Sequence, residues 1–277
     1  MIRKPMAALL AVLVTASLAS AQTPPRFRWQ TGQVLVYRTE HATFAAYVMG
    51  DTKSETRTRV NSIKRWQVLS VDNAGVGTLQ MSLQALKYET VRPDGETLAF
   101  DSAQPEKSTE AMRKQFSTFI GQPLVVLRID SQGRVLDVKD AKFGYTSATK
   151  YESDPPFKFL LPTEALKMGQ GWERTYQLTL EPPQGTGEKY PAVQRFVCKS
   201  LANNLATLTV ATEVKDAPAA QEDQVPLWQM QPEGEIAFDV QAGRLQKATL
   251  RINKETKGEG ASTQFQSAYT EEYVGDR

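Results

Sequence analysis

The sequence predicts a mainly β protein of the α+β class, in which antiparallel sheets form two related halves and carry one main amphipathic helix. Three observations support this prediction: side chains that alternate between apolar and polar, short motifs that recur in the same order, and one segment with helical periodicity. Strands with one apolar and one polar face are typical of antiparallel sheets that cover a core on one side and face water on the other.

The clearest alternation lies in residues 77–85. The apolar side chains fall on one face of an extended chain and the polar ones on the other: Leu79, Met81, Leu83 and Ala85 against Thr78, Gln80, Ser82 and Gln84. A period of two predicts a half-buried strand. The apolar phase shifts by one residue at Leu86 and Tyr88, which predicts a β-bulge. Similar alternation recurs in residues 172–180, 247–252 and 265–273.

Residues 108–120 are predicted to form the helix. Their apolar side chains recur at helical spacing and make one narrow stripe: Met112, Phe116, Phe119 and Ile120. Ser108 or Thr109 can cap the N-terminus of this helix, and Gly121 can end it. We expect the stripe to pack on a sheet, and a lid over a cavity is the alternative.

Four short motifs occur twice in the same order. They pair Gly32–Tyr37 with Gly171–Tyr176, Trp66–Ser70 with Phe196–Ser200, Thr78–Met81 with Thr207–Val210, and Asp130–Val135 with Asp239–Leu245. The shared order predicts two related β halves, residues 22–150 and 171–277, joined by a proline-containing connector at 151–170. Within the last motif, Gly133 and Gly243 are predicted to occupy equivalent hairpin turns. Similar hairpins within one continuous sheet are the alternative explanation.

Residues 1–21 have the pattern of a secretory signal peptide. Arg3 and Lys4 precede an apolar run of about 13 residues, which is shorter than the roughly 20 that a membrane-spanning helix needs. Ala19-Ser20-Ala21 then supplies the small residues after which a signal peptidase cleaves. We therefore expect a mature, periplasmic or secreted chain that starts at Gln22 and has no transmembrane segment.

The charge balance excludes a general affinity for polyanions. The chain has 33 basic and 31 acidic residues, and Arg3 and Lys4 belong to the signal peptide, so the mature chain is formally neutral. A neutral chain has no overall field that would attract nucleic acid, so we expect no nucleic-acid partner.

Residues 53–65 form a locally charged segment, in which Thr and Ser alternate with charged side chains that include Arg57 and Arg59. This segment could contact an anionic surface such as a glycan or a lipid headgroup. An exposed or edge strand is the more common explanation of such a charge pattern, because charge protects a strand from aggregation.

Few residues could carry nucleophilic or metal chemistry. The chain has one histidine, His41, and one cysteine, Cys198, which cannot build the usual zinc sites and are accompanied by no Gly-x-Ser-x-Gly motif. We expect Cys198 to be a buried apolar residue in a strand, and we predict no catalytic residue, no metal and no cofactor. Carboxylate pairs such as Glu271-Glu272 leave a carboxylate-dependent hydrolase of envelope polymers as the alternative.

The order of the motifs resembles a known type of protein. A signal peptide leads into Gly-x4-Tyr at Gly32, Asp-x-x-Gly-Arg-Val follows at Asp130, a proline-bearing stretch precedes Gly171-Trp172, and a second Asp…Gly-Arg-Leu begins at Asp239. This order resembles an uncharacterised family of exported bacterial β-rich proteins that carry a domain of unknown function, over most of the mature chain. More remotely, the chain resembles periplasmic lipoprotein carriers of the open β-barrel type. The family resemblance implies no activity, cofactor or catalytic residue.

These features together predict an exported, non-enzymatic binding or structural protein that holds an apolar small molecule or an envelope component. The candidate ligand-binding residues are apolar side chains of the clearest strand and of the helix: Leu79, Met81, Met112 and Phe116. An open cavity lined by them would favour a carrier, and a cleft with two facing carboxylates would favour the hydrolase. A filled core with neither would favour a structural protein.

Overall fold

The computed structural model describes residues 23–142, 159–182, 184–258 and 260–276. The predicted signal peptide and residues 151–158 of the predicted connector lie outside the described residues. The first six strands are β1 (Val34–Met49), β2 (Thr52–Val71), β3 (Gly77–Val91), β4 (Thr97–Asp101), β5 (Pro123–Ile129) and β6 (Val135–Ala141). The next six are β7 (Gly171–Leu180), β8 (Glu188–Ala202), β9 (Leu205–Val214), β10 (Glu233–Asp239), β11 (Arg244–Gly258) and β12 (Ala261–Gly275). The helices are α1 (Glu110–Phe116) and α2 (Val225–Trp228), with 3₁₀ turns at Pro105–Lys107, Ser117–Phe119 and Glu222–Gln224.

In the described part of the chain, twelve strands form one antiparallel sheet in the order β6-β5-β3-β2-β1-β12-β11-β10-β9-β8-β7, with β4 beside β3. The first and last strands meet in the middle, where β1 pairs with β12 along almost its whole length. Strands β6 and β7 are the two edges of this order, so the sheet is open. The predicted class, mainly β and antiparallel with few helices, is confirmed, and the strands of both halves belong to one continuous sheet.

One face of the sheet, which we call the inner face, carries the hydrophobic core. Tyr37, Leu79, Phe196 and Phe238 lie on this face, and each is at most 1% exposed. The same cluster takes side chains from strands before and after the connector, so the two halves share one core. Burial of each such side chain contributes roughly 1.5–3 kcal/mol. The opposite face, which we call the outer face, carries most of the charged side chains of the central strands.

The segment before β1, residues 23–31, covers the core at one end of the sheet, and we call it the strap. Phe27 of the strap is 3% exposed. The backbone N–H of Phe27 donates to Ser131 O at 2.7 Å, and that of Arg28 donates to Gly243 O at 2.9 Å. The strap therefore joins the β5–β6 turn of the first half to the β10–β11 turn of the second.

The bulge that the sequence predicts in β3 is confirmed. On β2, Ile63 pairs with Ala85 and the next residue, Lys64, pairs with Leu83, so the register passes over Gln84. This shift keeps the apolar side chains before and after the bulge on the inner face.

The predicted helix is shorter than expected. Helix α1 ends at Phe116, the chain tightens into a 3₁₀ turn, and Ile120 then forms an isolated bridge with Leu83. The helix ends early because a residue that pairs with a strand must be extended. The apolar stripe packs on the sheet as expected, since the Phe116 ring centre lies 5.3 Å from that of Tyr88 and 5.6 Å from that of Phe100.

The two halves share bulges and turns as well as sequence motifs. A bulge separates Val68 from Ser70 opposite Leu79 and Thr78, and an equivalent bulge separates Cys198 from Ser200 opposite Leu208 and Thr207. The β5–β6 and β10–β11 turns also correspond, because Asp130 Oδ1 and Asp239 Oδ1 each accept two backbone N–H groups of their turn. Gly133 and Gly243 both have positive φ in these turns, as expected for hairpin glycines, and their equivalence stays a prediction because the second turn is one residue longer.

The match of Gly32 with Gly171 is wrong by two residues. The turn before β1 and the turn before β7 have the same hydrogen bonds. Gly32 N donates to Val68 O at 2.9 Å, and Gly169 N donates to Cys198 O at 2.8 Å. In the same way, Gln30 N donates to Gln33 Oε1 at 3.2 Å, and Lys167 N donates to Gln170 Oε1 at 2.9 Å. Gly32 therefore corresponds to Gly169. The predicted duplication fits these shared positions and stays a prediction.

Candidate functional site

A groove of about 750 Å³ lies on the outer face, across the five central strands β3, β2, β1, β12 and β11. Two rows of directly paired residues line it. The first row is Glu89, Arg59, Ala42 and Ala268, and the second is Val91, Arg57, Phe44, Gln266 and Asn253. Directly paired residues share a face of an antiparallel sheet, so all these side chains project from the outer face. The residues between the rows complete the lining: Thr43, Thr58, Ile252 and Ser267.

Small and apolar side chains form the floor of the groove. Ala42 of β1 lies directly opposite Ala268 of β12. This alanine pair leaves space between the longer side chains on either side of it. Phe44 and Val91 extend the apolar part of the lining. The floor is therefore an apolar surface that a ligand can contact without displacing a side chain of the hydrophobic core.

Two arginines form the wall of the groove on β2. Arg57 and Arg59 are two residues apart on one strand, which places them on the same face. The guanidinium carbon of Arg57 lies 5.2 Å from the centre of the Phe44 ring, and Arg57 Nη2 lies 3.6 Å from Glu55 Oε2. Among the residues that the structure describes, Arg59 forms no ion pair. The wall is therefore cationic and partly uncompensated.

Glu55 is held more closely by Lys53 than by Arg57. Lys53 Nζ lies 2.6 Å from Glu55 Oε1, and this hydrogen bond is the main cause that lowers the pKa of the Glu55 carboxyl. Most of segment 53–65 is half-buried, although Lys53, Arg57 and Arg59 are exposed. It is not an edge strand, because β2 pairs with both β1 and β3. Its arginines thus lie at the centre of the sheet, beside the groove.

A second group of polar side chains lies on the inner face of the same strands. Glu271 is 0% exposed; its Oε2 accepts a hydrogen bond from Tyr269 Oη at 2.8 Å, and its Oε1 lies 3.8 Å from Lys64 Nζ. Burial, and after it the Glu271 carboxylate, raises the pKa of Tyr37 well above its ordinary value. A buried carboxylate needs such partners to offset its lost hydration, so these contacts have a structural explanation.

His41 also points to the inner face. Its Nε2 lies 2.9 Å from Ser267 Oγ, and its ring meets that of Tyr269 edge-on at 5.7 Å. A serine nucleophile requires preorganised N–H donors for the oxyanion. His41 and Ser267 lie inside the paired strands β1 and β12, where the ladder uses the backbone N–H groups, so this contact is not accompanied by such a pair of donors.

Cys198 is buried, as the sequence predicts. Its side chain is 0% exposed within the core, and burial raises the pKa of its thiol. A thiol must ionise to act as a nucleophile, and a raised pKa opposes that.

The adjacent carboxylates Glu271 and Glu272 do not face each other. Glu271 is buried on the inner face, whereas Glu272 lies on the outer face, 3.1 Å from Arg38 Nη2. In the described parts of the chain, no group of three His, Cys, Asp or Glu side chains is placed to hold a metal ion.

The four apolar residues that the sequence singled out lie in two places. Leu79 is fully buried in the core and Met81 packs against it. Met112 and Phe116 are half-buried on α1, above β3 and β4. Neither the groove nor the smaller cavity described next is lined by any of the four. Their role in ligand binding stays a prediction.

A smaller cavity of about 350 Å³ lies at the end of the sheet that the strap covers. The strap, the segment before β7, the β8–β9 connection and the β10–β11 turn line it: Thr23, Pro24, Pro25, Arg28, Leu166, Leu201, Ala202, Asn203, Asn204, Leu205 and Val240. Arg28 is its only ionised side chain among the described residues that line it.

Of the groove residues, sequence reasoning identified Arg57 and Arg59 and missed the rest. The floor depends on the pairing of Ala42 with Ala268, which lie more than 200 positions apart. Alternation in β1 and β12 could place both alanines on one face of their strands, but no local pattern gives the register between the strands.

No protein-family model and no curated protein matches this chain, so the resemblance to an exported family stays a prediction. A solved structure described as "Lipid-protein interactions in lipovitellin" superposes on this chain with a TM-score of 0.50 at 11% identity. The superposition covers 90% of this chain and 26% of the lipovitellin chain. The chain thus spans about a quarter of that protein, and the likeness concerns the fold.

Two other solved structures superpose much less well. The translocator domain of the autotransporter NalP from Neisseria meningitidis has a TM-score of 0.26 at 7% identity, and covers 89% of this chain and 90% of that domain. DynF from the dynemicin biosynthesis pathway of Micromonospora chersina has a TM-score of 0.22 at 6% identity, and the superposition covers 93% of this chain and 88% of DynF. Neither supports an argument about this chain. No helix within the described residues has the length and apolar character to span a membrane.

Proposed function

We propose that this chain is an exported, non-enzymatic binding protein that holds one amphipathic small molecule in the groove on its outer face. The observation that carries the proposal is the groove itself, with an apolar floor at Ala42 and Ala268 and a polar rim. Its volume of about 750 Å³ falls within the roughly 300–1,000 Å³ that is usual for sites of small organic ligands.

The contents of the groove favour a ligand with both an apolar and a polar part. Phe44 offers apolar surface next to Ala42, and Val91 adds apolar surface beyond Arg57, whereas Gln266 and Asn253 offer amide groups on the side away from the arginines. A purely polar ligand would leave the apolar floor in contact with water, and a purely apolar ligand would form no hydrogen bonds with the polar rim. The solved structure on which this chain superposes is described as "Lipid-protein interactions in lipovitellin", which favours a lipid-like amphiphile as the ligand.

Binding of a neutral apolar fluorophore, N-phenyl-1-naphthylamine, tests the proposal. Emission should rise to saturation at one probe per chain, because transfer of the probe from water to the groove removes quenching. Ala42→Trp should weaken binding by about tenfold or more, since an indole on the floor occupies the space for the ligand.

Ala211→Trp is the matched control for this experiment. Ala211, like Ala42, is an exposed alanine within a strand, but it lies on β9, away from the groove. Equal binding by the two variants, or no saturable binding by the unmodified chain, would contradict the proposed site.

A further inference from the structure

We infer that the groove selects single-chain amphiphiles with an anionic head, and that Arg57 and Arg59 form the head site. This inference rests on the proposed function, since it names the class of ligand for the same groove. It starts from the asymmetry of the groove, whose two walls differ in charge.

The order of residues across the sheet places the arginines next to the floor. In the first row, Arg59 lies between Glu89 and Ala42; in the second, Arg57 lies between Val91 and Phe44. The positive groups therefore flank the apolar floor directly. Glu89, the one acidic side chain of the lining, is separated from the floor by Arg59.

The opposite wall carries no ionised side chain within the described lining. Gln266 of β12 and Asn253 of β11 close that side, and both are neutral amides. With Arg57 and Arg59 against Glu89, the lining carries a net positive charge. An anionic head is thus attracted by the positive charge of the β2 wall, whereas a neutral head of similar size has no such charge interaction.

The environment of each arginine leaves donors for a ligand. Arg57 is stacked near Phe44 at 5.2 Å and has only a 3.6 Å contact to Glu55, whose nearer partner is Lys53 at 2.6 Å. Arg59 forms no ion pair with any described residue. A guanidinium presents paired N–H donors that match a carboxylate or a phosphate, and stacking on a ring limits the motion of Arg57 before a ligand arrives.

The tail has a matching place. An alkyl chain that leaves the arginines would cross Ala42 and Ala268 towards the amide wall. The head and the tail are therefore recognised by different strands, the head by β2 and the tail by β1 and β12. Substitution of the arginines should therefore lower the affinity for the anionic head and leave the contribution of the tail to binding unchanged.

Displacement of N-phenyl-1-naphthylamine by laurate and dodecyl phosphate, each below its micelle concentration, and by methyl laurate below its solubility limit tests the inference. At least one of the two anions should displace the probe about tenfold better than the ester. Arg57→Gln and Arg59→Gln should each weaken anion binding by roughly tenfold and leave ester binding unchanged, as expected for the loss of charge-assisted hydrogen bonds. Arg195→Gln, an exposed arginine on β8, should change neither.

The outcomes separate this inference from the proposed function. If the probe binds but both anions and the ester compete equally, or if the arginine variants weaken all three alike, the head site is overturned and the groove remains a binding site. If the probe does not bind the unmodified chain, the proposed function itself fails. A stronger response of one anion than of the other identifies the head as carboxylate or phosphate.

Discussion

Gly133 and Gly243 show how single residues fix the position of the strap. Gly133 has φ of +90°, and a Cβ there would lie 2.7 Å from Phe27 Cε2 and 3.0 Å from Phe159 O. Gly243 has φ of +66°, and a Cβ there would lie 2.7 Å from Arg26 O. Both glycines thus serve two purposes, since they supply a left-handed turn and make room for the backbone and ring that cross it.

Substitution of Gly133 should cost more than the backbone alone explains. We expect Gly133→Ala to lower the free energy of unfolding by about 1–3 kcal/mol more than Gly75→Ala, because of overpacking against Phe27. Gly75 is the control, since its φ is +79° and a Cβ there would meet no atom within 4 Å. Urea unfolding of both variants measures the difference, and equal losses would contradict the packing argument.

Cys198 should be silent in the folded protein. Its side chain is fully buried and burial raises the pKa of its thiol, so a thiol reagent such as Ellman's should react slowly with the native chain and quickly in guanidinium chloride. If an activity is found, Cys198→Ala and His41→Gln should each leave it within a few-fold in folded protein. Rapid native labelling, or a loss of roughly 100-fold or more on either substitution, would overturn this view.

At the scale of the element, local pattern predicts strands, bulges and turns, but not their partners. The phase shift at Leu86 gave the bulge at Gln84, because a slip in alternation has only a few structural explanations. The turn at Gly169 was missed because the Gly-x4-Tyr spacing led to Gly171, and the hydrogen bonds of the two turns reveal the shift. The strap also alternates, with the buried Phe27 and Trp29 between Arg26, Arg28 and Gln30, but a pattern of five residues does not show that the segment crosses the end of the sheet.

The strap should contribute strongly to stability. Phe27 is 3% exposed and packs edge-on against Phe238, with 5.2 Å between the ring centres. Phe27→Ala should lower the free energy of unfolding by about 3–5 kcal/mol, the usual cost of removing a buried aromatic side chain. Gln30→Ala, an exposed position of the same segment, should cost under about 1 kcal/mol. Denaturant unfolding compares the two, and a small effect at Phe27 would show that the strap is not part of the core.

At the scale of the whole molecule, the groove is a product of the open sheet. Its residues come from five strands that are brought together only when the first and last strands of the sheet pair. The sequence predicted the mainly antiparallel class, because alternation is local. It offered Arg57 and Arg59 as a contact for an anionic surface, the less common of two explanations, because both belong to one charged strand. It could not predict the floor, because that requires the register between strands at opposite ends of the chain.

The protein is expected to be exported, and its mature form is expected to begin at Gln22 after cleavage of the signal peptide. The basis is the short apolar run and the Ala19-Ser20-Ala21 motif. N-terminal sequencing of the protein from the exported fraction checks this prediction, and a chain that retains Met1 in a membrane fraction would contradict it.

Native mass spectrometry of the mature protein, isolated gently from the exported fraction, shows whether the outer-face groove holds a ligand. We expect one small amphiphile per chain, retained by the unmodified protein and by Ala211→Trp but lost from Ala42→Trp. If the isolated chain is empty, laurate or dodecyl phosphate added before measurement should restore a one-to-one complex with the same dependence on Ala42. A chain that takes up neither molecule, or an adduct that persists undiminished in Ala42→Trp, would contradict the assignment of the outer-face groove as the binding site.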